Sequence, residues 1–388
     1  MEEMTQKIKV GVLGATGMVG QRFVQLLANH PWFEIAALAA SERSVGKPYG
    51  EAAHWKQDTP IPEHVRHLPI VDVKPGFEAR LVFSGLDARV AGPVEEDFAR
   101  AGYVVVSNSK NHRTDDDVPI LLPEINHEHI GLIGVQQTRR GYERGFMVTN
   151  ANCSAMALCL ALAPLEQMFG IETVAVTTLQ SLSGAGYPGV PSLDITGNII
   201  PYIGEEEEKI ERETRKIFGQ FKGGKIEPHP MRVSATATRV PVVDGHTESV
   251  NVKLRRQASL EEIKSAFRSY SSVPQKLKLP SAPEHPVVLK EEIDRPQPRL
   301  DVNLEKGMAS VVGRVRHCPI FDYKFVILGH NTIRGAAGAA ILNAELLMAQ
   351  GFISEVIRAR PPQRCAGLSA DILSPGMSVP MTRQLSDP

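Results

Sequence analysis

Ile8-Lys-Val-Gly-Val-Leu13-Gly14-Ala-Thr16-Gly17-Met18-Val19-Gly20-Gln-Arg-Phe23 is the stretch that decides the fold. Ile8–Leu13 reads as a short buried strand. Met18–Ala28 carries Val19, Phe23, Leu26 and Leu27 at helical spacing. The turn between them has glycine at the first, fourth and seventh positions of Gly14–Gly20. Glycine lets the backbone approach a pyrophosphate, and the following helix N-terminus attracts its charge. Gly14, Thr16, Gly17, Met18 and Val19 are therefore the expected dinucleotide contacts. A tight strand–helix turn needing glycine only for its geometry is the plainer reading of the same residues.

Working outward, Ile35–Ala40, Leu81–Ser84 and Val104–Ser107 are further apolar runs separated by helical stretches. This alternation predicts a Rossmann-like doubly wound parallel sheet over residues 1–150. After the second strand comes Ala40-Ser41-Glu42-Arg43-Ser44. Ser41 and Ser44 can donate hydrogen bonds and Arg43 can pair with a 2′-phosphate, which favours NADP. Glu42 dissents, since an acidic residue here suits the ribose diol of NAD.

The middle of the chain changes character. Glu172–Gln180 and Arg232–Val242 are rich in Val and Thr. Asp244-Gly245 lies between Arg232–Val243 and Thr247–Leu254, which predicts a β-hairpin. Ser259-Leu-Glu-Glu262 is a capping box opening a helix. Met308–Val315 and Lys324–Leu328 read as strands. The expectation is a second α+β domain over 151–331 with a mixed or antiparallel sheet. Helix 332–355 would return to the first domain, and 360–388 would be an irregular tail, conceivable as an arm across a partner subunit.

Cys153 stands where the loop Thr149-Asn-Ala-Asn152 enters the apolar stretch Ala155–Met168. A helix N-terminus stabilises a thiolate and lowers the thiol pKa. Asn152 and the adjacent free amides can donate to an oxyanion. A buried structural cysteine is the bland alternative, and Cys159 inside the helix fits it.

Five segments in order carry a family resemblance: Gly14–Gly20, Asn152-Cys153-Ser154, Gln180–Gly186, Arg239-Val-Pro-Val through His246-Thr-Glu248, and Asn331–Ala336. The chain resembles the aspartate-semialdehyde dehydrogenases, particularly their archaeal and fungal branch, over about residues 5–355. The resemblance implies NADPH-dependent reductive dephosphorylation of L-aspartyl-4-phosphate through a cysteine thioester. It makes Cys153 the nucleophile, His246 the acid–base and Gln180 the residue orienting substrate. It assigns Arg239 to the substrate α-carboxylate, Glu206 to its ammonium, and Lys209 and Arg113 to phosphate. Within Glu205–Glu208 the choice of Glu206 stays open by one position, and Lys110 is a rival anion ligand. Ser183, Gly184 and Asn331 fall to the cofactor, Asn331 near the nicotinamide amide. A homodimer or homotetramer is implied. Malonyl-CoA reductase resembles this chain too, but coenzyme A lacks the amino-acid head that Glu206 and Lys209 would meet. N-acetyl-glutamyl-phosphate reductase shares the chemistry without this cysteine context. A non-catalytic NADP-binding sensor is the alternative outside enzymology.

The 388 residues carry 43 Lys+Arg against 44 Asp+Glu. That balance argues against nucleic acid as partner. No apolar run approaches the ~20 residues of a membrane span, and the charged start shows no signal-peptide pattern. The four cysteines have neither zinc nor disulfide spacing, which suggests a reducing, cytoplasmic setting. His127-Glu-His129 and His64-Val-Arg-His67 lack a third ligand motif, so no metal is expected.

Overall fold

The computed structural model describes residues 7–353, so the expected tail from 360 lies outside the described residues. Six parallel strands form the first sheet: β1 (Ile8–Leu13), β2 (Phe33–Ala39), β3 (Ile70–Val71), β4 (Leu81–Ser84), β5 (Val104–Ser107) and β6 (Phe146–Thr149). Their order is β3-β2-β1-β4-β5-β6. The order reverses beside β1, so a crevice opens at the carboxyl ends of β1 and β4. Helix α1 (Met18–Leu27) follows β1 and α2 (Ala88–Arg100) follows β4. Val10, Val12, Phe23, Leu27, Phe33 and Phe83 are buried together beneath α1.

The chain leaves this sheet through Asn150–Asn152 into α3 (Cys153–Phe169). Almost every residue of α3 is buried, which explains its uniformly apolar sequence. The second sheet contains β7 (Ile171–Gln180), β10 (Arg232–Arg239), β11 (His246–Leu254), β12 (Val287–Lys290), β13 (Ser310–His317) and β14 (Tyr323–Gly329). Between β7 and β10 lie α4 (Glu206–Ile217) and a small hairpin, β8 (Gln220–Lys222) with β9 (Lys225–Glu227). The second sheet is mixed, with order β10-β7-β11-β14-β13-β12. The expected capping box at Ser259 is present and opens α5 (Leu260–Ser269).

One local expectation fails. Arg232–Arg239 and His246–Leu254 do not form a hairpin. β7 lies between them, parallel to β10 and antiparallel to β11. The Asp244-Gly245 turn belongs to an arch over the end of β7. There Val242 O accepts from Leu182 N at 2.7 Å, and Val243 O from Ser183 N at 3.1 Å. A turn signal reports a reversal of direction, and the intervening strand comes from sixty residues earlier, beyond any local pattern.

After β14 the chain makes a wide helical turn at Ile333–Ala337, with Gly335 N bonded to His330 O and Ala337 N to Thr332 O, before α6 (Gly338–Ala349). Ile341, Leu342, Leu346 and Leu347 join the core under the first sheet. The fully buried Arg334 pairs with both carboxylate oxygens of Glu124 at 2.8 and 2.7 Å. Among the described residues no helix is long and apolar enough to cross a membrane.

Candidate active site

Register assembles the site. Arg239 is paired with Gln180, Thr247 with Leu179, and His246 with Gly329. The ends of β10, β7, β11 and β14 therefore form a row: Arg239, Gln180, His246, then His330 and Asn331. The N-terminus of α3 rests on this row. Cys153 is its first residue, and its Sγ lies 3.1 Å from His246 Nε2. Gly184 overhangs the pair. A Cβ there would come within 2.9 Å of both Arg239 Nη1 and His246 Cε1, so only glycine fits.

Electrostatics differ from the sequence expectation. The Cys153 thiol is not lowered but pushed up to about 12, first by burial and then by the Glu206 carboxylate. Arg113, Arg239 and the Ser154 amide pull the other way without prevailing. Burial likewise drives His246 down to about 3, helped by the Arg239 cation and by the neighbouring His330 ring. The resting pair is a neutral thiol beside a neutral imidazole. A helix N-terminus supplies only partial charge, and desolvation at this half-buried position outweighs it.

Asn152 caps α3, its Oδ1 accepting from Ser154 N and Ala155 N at 3.0 and 3.2 Å. Its two expected oxyanion donors are engaged elsewhere. The side-chain amide donates to Glu206 Oε2 at 2.8 Å, and the backbone N–H to Glu213 Oε2 at 2.6 Å. The Cys153 N–H, in the first helical turn, has no intrahelical acceptor.

The first three glutamates of the run separate by direction. Glu205 turns outward to Lys110. Glu206 turns in, accepting from Asn152 and, at 3.0 Å, from Gln180 Nε2, while Lys209 Nζ lies 3.4 Å away. Glu207 accepts from Ala237 N at 2.9 Å, and Glu211 one turn on from Ala235 N at 3.0 Å. These two cover the free edge of β10, where unpaired amides would otherwise face water. The acidic run is thus part edge cover and part site, and only Glu206 reaches the buried row.

Arg239 is buried, and its Nη1 donates to Ser181 O at 2.7 Å. Arg113 is also buried. It is held by Asn108 O at 2.8 Å and Glu213 at 3.4 Å, and its Nε has no hydrogen-bond partner among the described residues. Sequence reading missed Glu213, whose signal was its place two helical turns after Glu206 on the same face. It also missed Ser181, which sits against the His246 ring.

The dinucleotide turn lies at the crevice of the first sheet. Gly14 has φ +73°, and a Cβ on Gly20 would stand 2.1 Å from Gly14 O, so the turn closes only with glycine. The N-cap of α1 is Gly17, which brings no capping side chain, and this leaves first-turn amides for an anion. Ser41, Arg43 and Ser44 form a turn after β2, with Arg43 exposed and in no ion pair among the described residues. Asn331 reaches Ser183, its Nδ2 donating to Ser183 Oγ at 2.8 Å. These residues fit a phosphorylated dinucleotide. His129 is buried with its Nε2 2.9 Å from Gly219 O, while His67 is exposed beside Glu63. Among the described residues no group of three or more metal-ligating side chains converges.

The chain matches the family described as "Semialdehyde dehydrogenase, NAD binding domain" over residues 9–133 and "Semialdehyde dehydrogenase, dimerisation domain" over 162–334. It is 51% identical to an aspartate-semialdehyde dehydrogenase of Archaeoglobus fulgidus over 348 residues, covering 89% of this chain and 100% of that one. An enzyme of the same name from Cryptococcus neoformans is 50% identical, covering 89% and 98%. The solved structure of aspartate semialdehyde dehydrogenase with NADP from Candida albicans superposes with a TM-score of 0.82 at 44% identity, covering 89% and 100%.

Proposed function

The chain belongs to the aspartate-semialdehyde dehydrogenase family, and from that premise we propose how its own residues reduce L-aspartyl-4-phosphate to L-aspartate 4-semialdehyde and phosphate. The observation that carries the reading is the 3.1 Å approach of Cys153 Sγ to His246 Nε2 at the end of the Arg239–Gln180–His246 row.

Arg239 binds the α-carboxylate with the part of its planar fork not spent on Ser181 O. Glu206, steadied by Asn152 and Gln180, receives the ammonium. Lys209 and Arg113 face the phosphate, and Gln180 holds the acyl group over the sulfur. Because the resting thiol is neutral, no thiolate waits for substrate. His246 Nε2 takes the thiol proton as Sγ attacks the acyl carbon, and the carbon–oxygen bond to phosphate breaks. The departing oxygen takes that proton, leaving a thioester on Cys153. NADPH, when bound, supplies the hydride. The sulfur released with the aldehyde regains a proton from solvent, which accounts for the one proton consumed overall.

Gly14, Thr16, Gly17, Met18 and Val19 hold the pyrophosphate. Ser41, Arg43 and Ser44 take the 2′-phosphate, and Ser183, Gly184 and Asn331 lie on the nicotinamide side. The three described cysteines are free thiols, in keeping with a reducing cytoplasm. Two copies pair through the open face of the second sheet, where Thr177 and Ser249 are exposed; sedimentation at the mass of a dimer, or of a tetramer built from dimers, checks this.

Cys153→Ala tests the nucleophile. It abolishes turnover while NADPH binding by titration calorimetry stays within about twofold, since the residue lies off the dinucleotide turn. Residual phosphate-dependent turnover in that variant removes Cys153 from the mechanism.

A further inference from the structure

An imidazole accepts a proton at Nε2 only when Nδ1 carries the ring hydrogen, and the cation then formed needs an acceptor at Nδ1. In cysteine–histidine sites a third side chain supplies it. His246 Nδ1 has two polar neighbours among the described residues, both from Ser181. The backbone nitrogen is 3.1 Å away and Oγ is 3.2 Å away. The N–H can only donate. It favours hydrogen on Nε2, the tautomer in which His246 cannot take the thiol proton. The hydroxyl oxygen is the one acceptor.

Its orientation is determined by Asn331. Ser181 Oγ donates to Asn331 Oδ1 at 3.1 Å, so the hydroxyl hydrogen is used there and a lone pair is left toward the ring. The Asn331 amide cannot flip, because Oδ1 also accepts from Gly245 N at 2.9 Å while Nδ2 donates to Ser183 Oγ at 2.8 Å. Ser181, His246 and Asn331 are all buried, so water does not substitute. Glu248, two residues along β11 and also buried, has no hydrogen-bond partner at either oxygen among the described residues and does not serve. The charged and titratable groups facing the ring are Cys153 from α3, Arg239 from β10 and His330 after β14.

We propose that Ser181 is the positioning residue that makes His246 a base, in a relay running Cys153–His246–Ser181–Asn331. The thiol proton moves to Nε2. The Nδ1 hydrogen stays on the ring, bonded to Ser181 Oγ, and Ser181 keeps its own hydrogen. This rests on the reading of Cys153 as nucleophile and His246 as its base.

Alkylation of Cys153 by iodoacetamide, followed on its own peptide by mass spectrometry, tests the relay without substrate. Ser181→Ala lowers the rate at pH 7 by about tenfold or more, the loss expected for a hydrogen bond to a charged group. It lowers kcat similarly and leaves the KM for NADP unchanged. At high pH, approaching the raised value of the Cys153 thiol, hydroxide replaces His246 as base and the variant and the parent alkylate alike. Ser181→Thr, which keeps a hydroxyl, retains the neutral-pH rate. An unchanged rate at pH 7 overturns the proposal. So does an equal loss at both pH values, which marks a distorted pocket instead. Failure of the unsubstituted protein to turn over aspartyl phosphate refutes the functional reading and leaves the alkylation result standing.

Discussion

Side chains in this site act under the control of burial. Cys153 was legible in the sequence because a loop enters an apolar helix there, yet its protonation was not. The helix terminus and two arginines favour the thiolate, but enclosure and Glu206 outweigh them. Only the packed environment shows which effect wins. His246 is similar: its identity came from a motif, its neutrality from the surrounding strands. Ser181 had no signal of its own beside Gln180. Arg43 is the opposite case, an exposed residue whose neighbours in sequence tell most of its story. Its contribution to cofactor choice is open to measurement. Arg43→Ala raises the KM for NADP by about tenfold, since a charge-assisted hydrogen bond is worth about 1.5–3 kcal/mol, and leaves the KM for NAD unchanged. Equal effects on both cofactors contradict a 2′-phosphate contact.

At the level of elements, alternation of apolar strands with helical segments disclosed four of the six strands of the first sheet; the two-residue β3 and the edge strand β6 were not predicted. β1, β4 and β5 have the bounds the pattern predicts, and β2 begins two residues earlier, at Phe33. In the second sheet five of the six strands were legible, β12 was not, and the pairing was not. Arg239 and His246 were expected to meet across a hairpin. They meet instead across β7, which also brings Gln180 between them. The error concerned topology, and the site survived it because residues at the same end of adjacent strands share a pocket. The segment after Asn331 shows what holds the two halves in register. Arg334 and Glu124 are both fully buried and doubly bonded. Removing one partner leaves an uncompensated charge. Arg334→Ala is therefore expected to lower unfolding stability by about 3–5 kcal/mol, read by urea denaturation. The double variant Arg334→Met with Glu124→Leu loses much less, because no charge is stranded. Equal losses in both variants contradict this account of the pair.

Across the whole molecule, two sheets divide the chemistry. The first offers a glycine turn and a helix N-terminus to a dinucleotide. The second lines up Arg239, Gln180 and His246, the row proposed above to take an amino acid bearing an acyl phosphate. α3 joins them, carrying Cys153 from the end of one sheet onto the other. The central claim is that this junction runs acyl-phosphate chemistry with NADP. Running the reaction backward tests it most directly: purified protein, aspartate semialdehyde, NADP and inorganic phosphate, with NADPH formation followed by absorbance. The account predicts NADPH formation that depends strictly on phosphate and falls sharply when NAD replaces NADP. Reduction of NADP at an equal rate without phosphate, or no reduction by folded protein that binds NADP, would contradict it.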